Sequence, residues 1–186
     1  YIARLQVLTD CHALLHALPK HAIVGELGVH CGEFSDKICT ITCPQRLHLF
    51  GAWSTTVAAR ESGERQRQVV EMKFRAEIAA GQITLQPAAL LAELANFGPG
   101  YFDWIYNDAC YSLADMTSLL DICHQKVKPN GIIAGGNYTA GSVLYRTRYG
   151  VIEAVNTFCK KNGWEMIYLT NECHRKLSYA IRKMVL

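Results

Sequence analysis

Ile23-Val24-Gly25-Glu26-Leu27-Gly28-Val29-His30-Cys31-Gly32-Glu33-Phe34-Ser35 is the stretch whose reading decides the fold. A mostly apolar run carries a glutamate, two glycines follow four apart at Gly28 and Gly32, and a helical pattern begins. A buried strand that bends sharply through glycines into a helix lets a ligand approach the backbone closely. The Glu26 carboxylate suits a ligand that carries ribose hydroxyls or a positive charge. An ordinary strand-to-helix turn uses the same residues, so this stretch alone leaves binding and packing both open.

Outward from that turn, helix and strand patterns alternate, as in a parallel sheet covered on both faces. Before it, Leu5, Leu8, Leu15 and Leu18 at helical spacing predict a helix over 3–18, closed by Pro19. The first buried strand is 22–27, and 34–41 is the next helix. A short strand is expected at 46–50, then a charged amphipathic helix over 61–80 with Val70, Phe74 and Ile78 on one face, ended by Gly81. A third strand at 82–86 leads to a short helix at 88–97, and Gly98-Pro99-Gly100 breaks the chain. Strand 101–107 ends at Asp108, helix 113–127 follows, and Lys128-Pro129-Asn130-Gly131 reads as a strong turn. The fifth strand starts at 132–134 and runs into Gly135-Gly136-Asn137-Tyr138. A loop over 139–150, a helix over 151–161 and strands at 164–170 and 177–185 complete the pattern. The last two strands share a short connection and are expected to pair antiparallel at one edge. The expectation is an α/β fold: a doubly wound, mostly parallel seven-stranded sheet with a C-terminal antiparallel hairpin, in one domain over 1–186.

Composition bounds the function. The chain has 186 residues, 50% of them hydrophobic and 19% charged, which suits one folded domain with a full core. A net charge of +3 is too mild to argue for nucleic acid or a membrane surface as partner. No apolar run approaches the roughly 20 residues of a membrane span. The first residues do not read as a secretion signal. Among the eight cysteines no two are separated by two residues, which argues against zinc-type spacing. Most lie in apolar stretches and read as buried, reduced thiols, so a reducing, cytoplasmic setting is expected.

The order of these segments, with Glu26-x-Gly28-x-x-x-Gly32 after the first strand, resembles the class I S-adenosylmethionine-dependent methyltransferases. Arg46 to Ser54 looks like that family's second strand and Phe102 to Ala109 like its fourth. Lys128 to Gly135 resembles its turn into the fifth strand. Val151 to Phe158 resembles the following helix in small-molecule O-methyltransferases related to macrocin O-methyltransferase. The resemblance covers nearly the whole chain and implies S-adenosylmethionine as cofactor and a small-molecule acceptor methylated at oxygen. It implies cofactor contacts from Glu26, Gly28, Val29, His30, Gly32, Gly51, Trp53, Ala88 and Asp108, and roles near the reacting atoms for Asp108, Tyr111 and Asn137. Trp53 either covers the adenine face or plugs the edge of the core.

The chain departs from the family at several of these positions. Gly51 stands where the second strand normally ends in the acidic residue that holds the ribose, and the loss of one charge-assisted hydrogen bond costs about 1.5–3 kcal/mol. Pro87-Ala88-Ala89 replaces a Gly-Asp-Ser pattern, Tyr111 stands where a histidine is common, and Gly136-Asn137 replaces a pair of metal ligands. Asp108 and Asn137 leave room for a magnesium ion that keeps most of its waters, but no tightly bound metal is favoured. His30 and Tyr138 are further candidates for proton transfer, and Tyr111 with an ordinary pKa near 10 reads as shaping the acceptor instead. Arg146 and Arg148 read as solvated. The alternative to an enzyme is a catalytically degenerate member of the same fold kept as a binding or assembly module. A dinucleotide-binding dehydrogenase is disfavoured by the glycine spacing and by the missing acidic residue after the second strand. A homo-oligomer is left open.

Overall fold

The computed structural model describes residues 1–51, 53, 60–86, 90–142, 146–172 and 177–184, without the side chains of 60–62. The chain builds β1 (Gln6–Leu8), α1 (Cys11–Ala17), β2 (Ile23–Val29), α2 (Glu33–Thr42), β3 (Arg46–Gly51), α3 (Arg60–Lys73) and α4 (Arg75–Ala79). It continues through β4 (Ile83–Gln86), α5 (Leu90–Ala95), β5 (Phe102–Asn107), α6 (Leu113–Lys126), β6 (Val127–Gly135) and a small ribbon of β7 (Gly141–Ser142) and β8 (Thr147–Arg148). It closes with α7 (Val151–Asn162), β9 (Trp164–Thr170) and β10 (Tyr179–Lys183).

Eight strands form the main sheet in the order β1-β9-β10-β6-β5-β2-β3-β4. All neighbours run parallel except β10, which is antiparallel to both β6 and β9. The predicted α/β architecture and hairpin are therefore present, with two additions. The hairpin does not form the edge, because β1 lies beyond β9 and pairs with it from Gln6↔Tyr168 to Leu8↔Thr170. Helix 3–18 is in fact a strand followed by α1. Asp10, extended at φ −162°, accepts from the Ala13 N–H at 2.8 Å and starts the helix there. Leu18 is extended, as a residue before proline must be, and ends it.

Two apolar layers cover the sheet. Leu14 and Leu15 of α1, Ile38 of α2 and Val70 of α3 pack on one face with Val24, Leu49 and Trp104. Leu94 of α5, Leu119 of α6 and Val155 of α7 pack on the other with Leu27, Ile105 and Ile133. The expected 61–80 helix breaks at Phe74, whose φ −111° and ψ 28° leave the helical region before α4. The Lys128–Gly131 turn is an excursion inside β6: Phe102 pairs with Val127 and Trp104 with Ile132. His48 is buried between the Thr84 hydroxyl at 2.7 Å and the Tyr101 hydroxyl at 3.1 Å. Burial, with Arg46 nearby, pulls its pKa down to about 4, so it stays neutral as a structural bridge.

From β2 the chain steps outward to β3 and β4, then crosses back to β5 on the other side. The order thus reverses between β2 and β5, and a crevice opens beyond their carboxyl ends. There the backbones close tightly. Gly28 holds φ +98°, and a Cβ on it would sit 2.6 Å from the Ala109 nitrogen and 2.7 Å from the Asp108 carbonyl carbon. The Asp108 N–H donates to the Leu27 carbonyl at 2.8 Å across this gap. Gly28→Ala is expected to lower stability by about 2 kcal/mol or more, since both the dihedral and the facing backbone resist it. Asp10→Ala is expected to lose only about 1 kcal/mol, the value of one cap. Denaturant unfolding of the two variants checks this; an equal, small loss in both would contradict the close packing at Gly28.

Candidate functional site

Because β2, β3, β5 and β6 run parallel, Val29, Gly51, Asn107 and Gly135 end on one rim. Two cavities open there. The first, about 220 Å³, is lined by Glu26, His30, the Gly28–Gly32 turn, Glu33, Phe34, Tyr106 and Asp108. The second, about 270 Å³, takes Phe34, Tyr106 and Asp108 as its shared wall and adds Asn137, Ser178 and Glu172 among others. Phe34 and Tyr106 stack with ring centroids 4.3 Å apart.

Glu26 is 5% exposed and its Oε2 has no hydrogen-bond partner. Burial, followed by the Asp108 and Glu33 charges, pushes its pKa up to about 8, and the neighbouring Ser35 hydroxyl counters only part of this. Ser35 Oγ is itself buried without an aligned partner. Tyr106 is buried, and its pKa rises well above the ordinary value, chiefly through desolvation. It therefore keeps its hydroxyl proton, and pairs with Ser178 Oγ at 3.1 Å. Asn137, 3% exposed and at φ +59°, donates from Nδ2 to Asp108 Oδ1, while its own Oδ1 has no partner. Gly136 lets Asp108 approach: a Cβ there would lie 3.0 Å from Asp108 Oδ1. Asn107 ties the rim together, with its side-chain oxygen accepting from the Ala109 N–H at 3.0 Å and its carbonyl from the Gly136 N–H at 3.0 Å.

The structure thus brings together Glu26, Gly28, His30, Gly32, Asp108 and Asn137 around the two cavities. Other expected residues go elsewhere. Val29 is buried in the core opposite Gly51. Tyr111 is 48% exposed, stacks on Tyr149 at 5.2 Å and lines neither cavity. Tyr138 turns its hydroxyl to Asn156 at 2.8 Å. Ala88 lies outside the described residues.

The glycines also have packing reasons of their own. The space on the side-chain side of Gly28 is filled by the 108–109 backbone, and that of Gly32 by Phe74 at 2.9 Å, so both are required by packing of the chain on itself. At Gly51 a Cβ would lie 2.1 Å from the Trp53 indole. That ring is 8% exposed, belongs to the buried apolar layer with Val29 and Phe74, and leaves its N–H unpartnered. Trp53 therefore plugs the rim at the position where a strand-ending side chain would stand.

Sequence reading missed Phe34, Tyr106, Ser178 and Glu172. Tyr106 was recoverable, since residues two apart on a strand share a face and Asp108 was already named. Ser178 and Glu172 come from the β9–β10 connection, which local pattern does not bring to the rim.

Among the described residues, no group of three or more His, Cys, Asp or Glu side chains is placed to hold a metal ion. The seven described cysteines form no disulfide; Cys123 and Cys159 are buried, whereas Cys43 is exposed. No helix among these residues is long and apolar enough to cross a membrane.

No protein-family model matches the sequence, and neither does any curated protein sequence. Solved structures do match. An O-methyltransferase family protein from Burkholderia thailandensis aligns with TM-score 0.66 and 12% identity over 93% of this chain and 55% of that one. The pyocyanin biosynthetic protein PhzM aligns with TM-score 0.64 and 14% identity over 91% of this chain and 54% of that one. The O-methyltransferase from Bacillus cereus, solved with S-adenosylhomocysteine, aligns with TM-score 0.63 and 13% identity over 92% and 78%. The chain thus has the Rossmann-like fold of these structures, and spans little more than half the length of the first two.

Two measurements follow from this geometry. The folded state holds the Glu26 proton up to about pH 8, whereas the unfolded chain releases it near pH 4, so stability is expected to fall as pH rises between those limits. Glu26→Gln should remove that fall; parallel melting profiles from pH 5 to 9 in both proteins would contradict it. Gly51→Asp is expected to destabilise by about 1–3 kcal/mol through collision with Trp53, and Trp53→Ala in the same chain should recover part of the loss. Additive losses in the double variant would show that the two positions do not meet.

Proposed function

We propose that this chain is an S-adenosylmethionine-dependent methyltransferase acting on a small-molecule acceptor at oxygen. The observation that carries the reading is the pair of cavities at the switch point, which share the Phe34–Tyr106–Asp108 wall. A group transfer requires its two molecules side by side with the reacting atoms in contact, and two adjoining cavities that meet at shared residues suit that arrangement. The likeness in fold to O-methyltransferases supports the same reading.

The residues fit one end of the cofactor. Glu26 lines the first cavity with a buried, unpartnered Oε2, which suits an ammonium or a hydroxyl donor, and the acidic surroundings suit a positive centre. Gly51 offers no side-chain acceptor to a ribose, and the Trp53 indole that stands over it has a buried, unpartnered N–H. When bound, the cofactor supplies an electrophilic methyl group on a sulfonium. Asp108 faces both cavities and takes the proton of the acceptor hydroxyl as its oxygen attacks. Asn137 holds the Asp108 carboxylate in place through its amide. Tyr106, protonated, donates to or accepts from Ser178 and keeps the shared wall rigid. Most of the acceleration comes from the alignment of the two reacting atoms. We infer no tightly bound metal, a cytoplasmic setting and no nucleic-acid or membrane partner.

A second reading has its own observation. The indole over Gly51, with no carboxylate at that strand end, suits a degenerate member of the fold that binds or assembles without catalysis. Calorimetry separates the two. The enzyme reading expects S-adenosylmethionine and S-adenosylhomocysteine to bind with micromolar or tighter affinity. An ammonium that meets Glu26 at neutral pH should expel its proton, so the observed heat should vary with the ionisation enthalpy of the buffer. No heat at millimolar ligand would favour the module.

A further inference from the structure

Another cavity lies at the β1 edge of the sheet and shares no lining residue with the two at the rim. It measures about 380 Å³ and is lined by Arg4, Gln6, Ile167, Tyr168 and Arg182. Three neighbouring strands build it: Gln6 of β1 lies beside Tyr168 of β9, and Arg182 of β10 beside Glu165 of β9. Side chains alternate along a regular strand, so Glu165 and Tyr168 would point to opposite faces. The register slips at Ile167, because Met166 pairs with Ile181 but Tyr168 with Ala180. That bulge returns Tyr168 to the face of Glu165 and Arg182, which places the ring beside both guanidinium groups of the lining.

The charged groups that line the cavity are both cations. Glu165 stands behind them with 5% of its side chain exposed, and its Oε1 meets Arg182 Nε at 3.4 Å, Arg182 Nη2 at 3.3 Å and Arg4 Nη1 at 3.6 Å. A tight charge-assisted bond measures about 2.7–2.9 Å, so neither guanidinium is saturated by this shared oxygen. Among the described residues Glu165 is the one acidic partner of either arginine within 4 Å. Two guanidinium charges against one carboxylate leave a single positive charge uncompensated. The Gln6 amide and the Tyr168 hydroxyl add neutral donors, and Ile167 with the Tyr168 ring gives an apolar floor.

We propose that this cavity binds a small carboxylic acid, with its carboxylate between the Arg4 and Arg182 guanidiniums and its apolar part over Ile167 and Tyr168. A carboxylate brings the one negative charge that the group lacks, and its two oxygens match the planar fork of a guanidinium. A doubly charged phosphate ester would over-compensate the same group. The volume suits a small molecule and not a polymer. Arg182 pairs with Ile132, set back along β6 from the Gly135 strand end, so the site is separate from the rim and does not rest on the methyl-transfer reading. Its occupant would tie the segment ahead of β1 to β10.

The test titrates benzoate, benzyl alcohol and phenyl phosphate into the whole chain by calorimetry, with and without saturating S-adenosylhomocysteine. Benzoate is expected to bind about tenfold more tightly than benzyl alcohol, the margin of a charge-assisted over a neutral hydrogen bond, and equally in both conditions. Arg4→Gln, at a side chain 62% exposed, leaves Glu165 its Arg182 partner and should weaken benzoate at least about threefold with the melting temperature unchanged. Arg4→Lys keeps the charge without the fork and should recover only part of that loss. Benzoate bound no better than the alcohol, phenyl phosphate bound more tightly than benzoate, full affinity in Arg4→Gln, or loss of benzoate when S-adenosylhomocysteine is present would each overturn the proposal. If S-adenosylhomocysteine fails to bind while the benzoate preference persists, the methyl-transfer reading falls and the carboxylate site stands.

Discussion

The structure depends on one close approach, that of the Gly28 backbone to the peptide between Asp108 and Ala109. Any side chain at position 28 would stand inside that peptide, so β2 and β5 can converge at their carboxyl ends only over a glycine in a positive-φ conformation. The convergence fixes where Asp108 stands relative to Glu26. Both carboxyl groups then face one crevice, and the Asp108 charge adds to the burial that keeps the Glu26 proton in place. A packing constraint between two strand ends has thereby become an electrostatic property of the rim.

That rim also holds unpaired polar atoms in fixed places. Glu26 Oε2 and Asn137 Oδ1 are buried oxygens without partners, held in place by groups that are themselves anchored: β2 between its two neighbours, and Asn137 through its bond to Asp108. Unsatisfied acceptors of this kind are costly in a folded chain and are concentrated where a ligand completes them. Trp53 plays the opposite part. It fills space over Gly51 with apolar surface that belongs to the core.

Much of this was legible in the residues. The glutamate and two glycines of the first turn lie in a purely local sequence, so the switch point was readable from spacing. Their reason was less so, because Phe74 and the 108–109 backbone that fill the glycine sides arrive from 40 to 80 residues away. The N-terminal leucines fit a helix by spacing, and only the extended Asp10, which caps α1 and releases Gln6–Leu8 to pair with β9, decides otherwise. Asn137 was named beside Asp108 as a residue near the reacting atoms, and its amide does bond Asp108. Tyr111 was named by its place after Asp108, yet its ring leaves the crevice to stack on Tyr149, a contact set by the 139–150 segment.

The placement of β10 has a consequence for how the chain is made. β10 follows β9 in sequence but is inserted between β9 and β6, and 48 residues separate the end of β6 from the end of β10. At a translation rate of about 5–20 residues per second, the lateral edge of β6 stays bare for roughly 2–10 seconds after that strand has emerged. Ile132 and Ile133 sit on that open edge, a template for pairing with any extended neighbour. The newborn protein is therefore most prone to aggregation in the interval before its central gap is zipped shut.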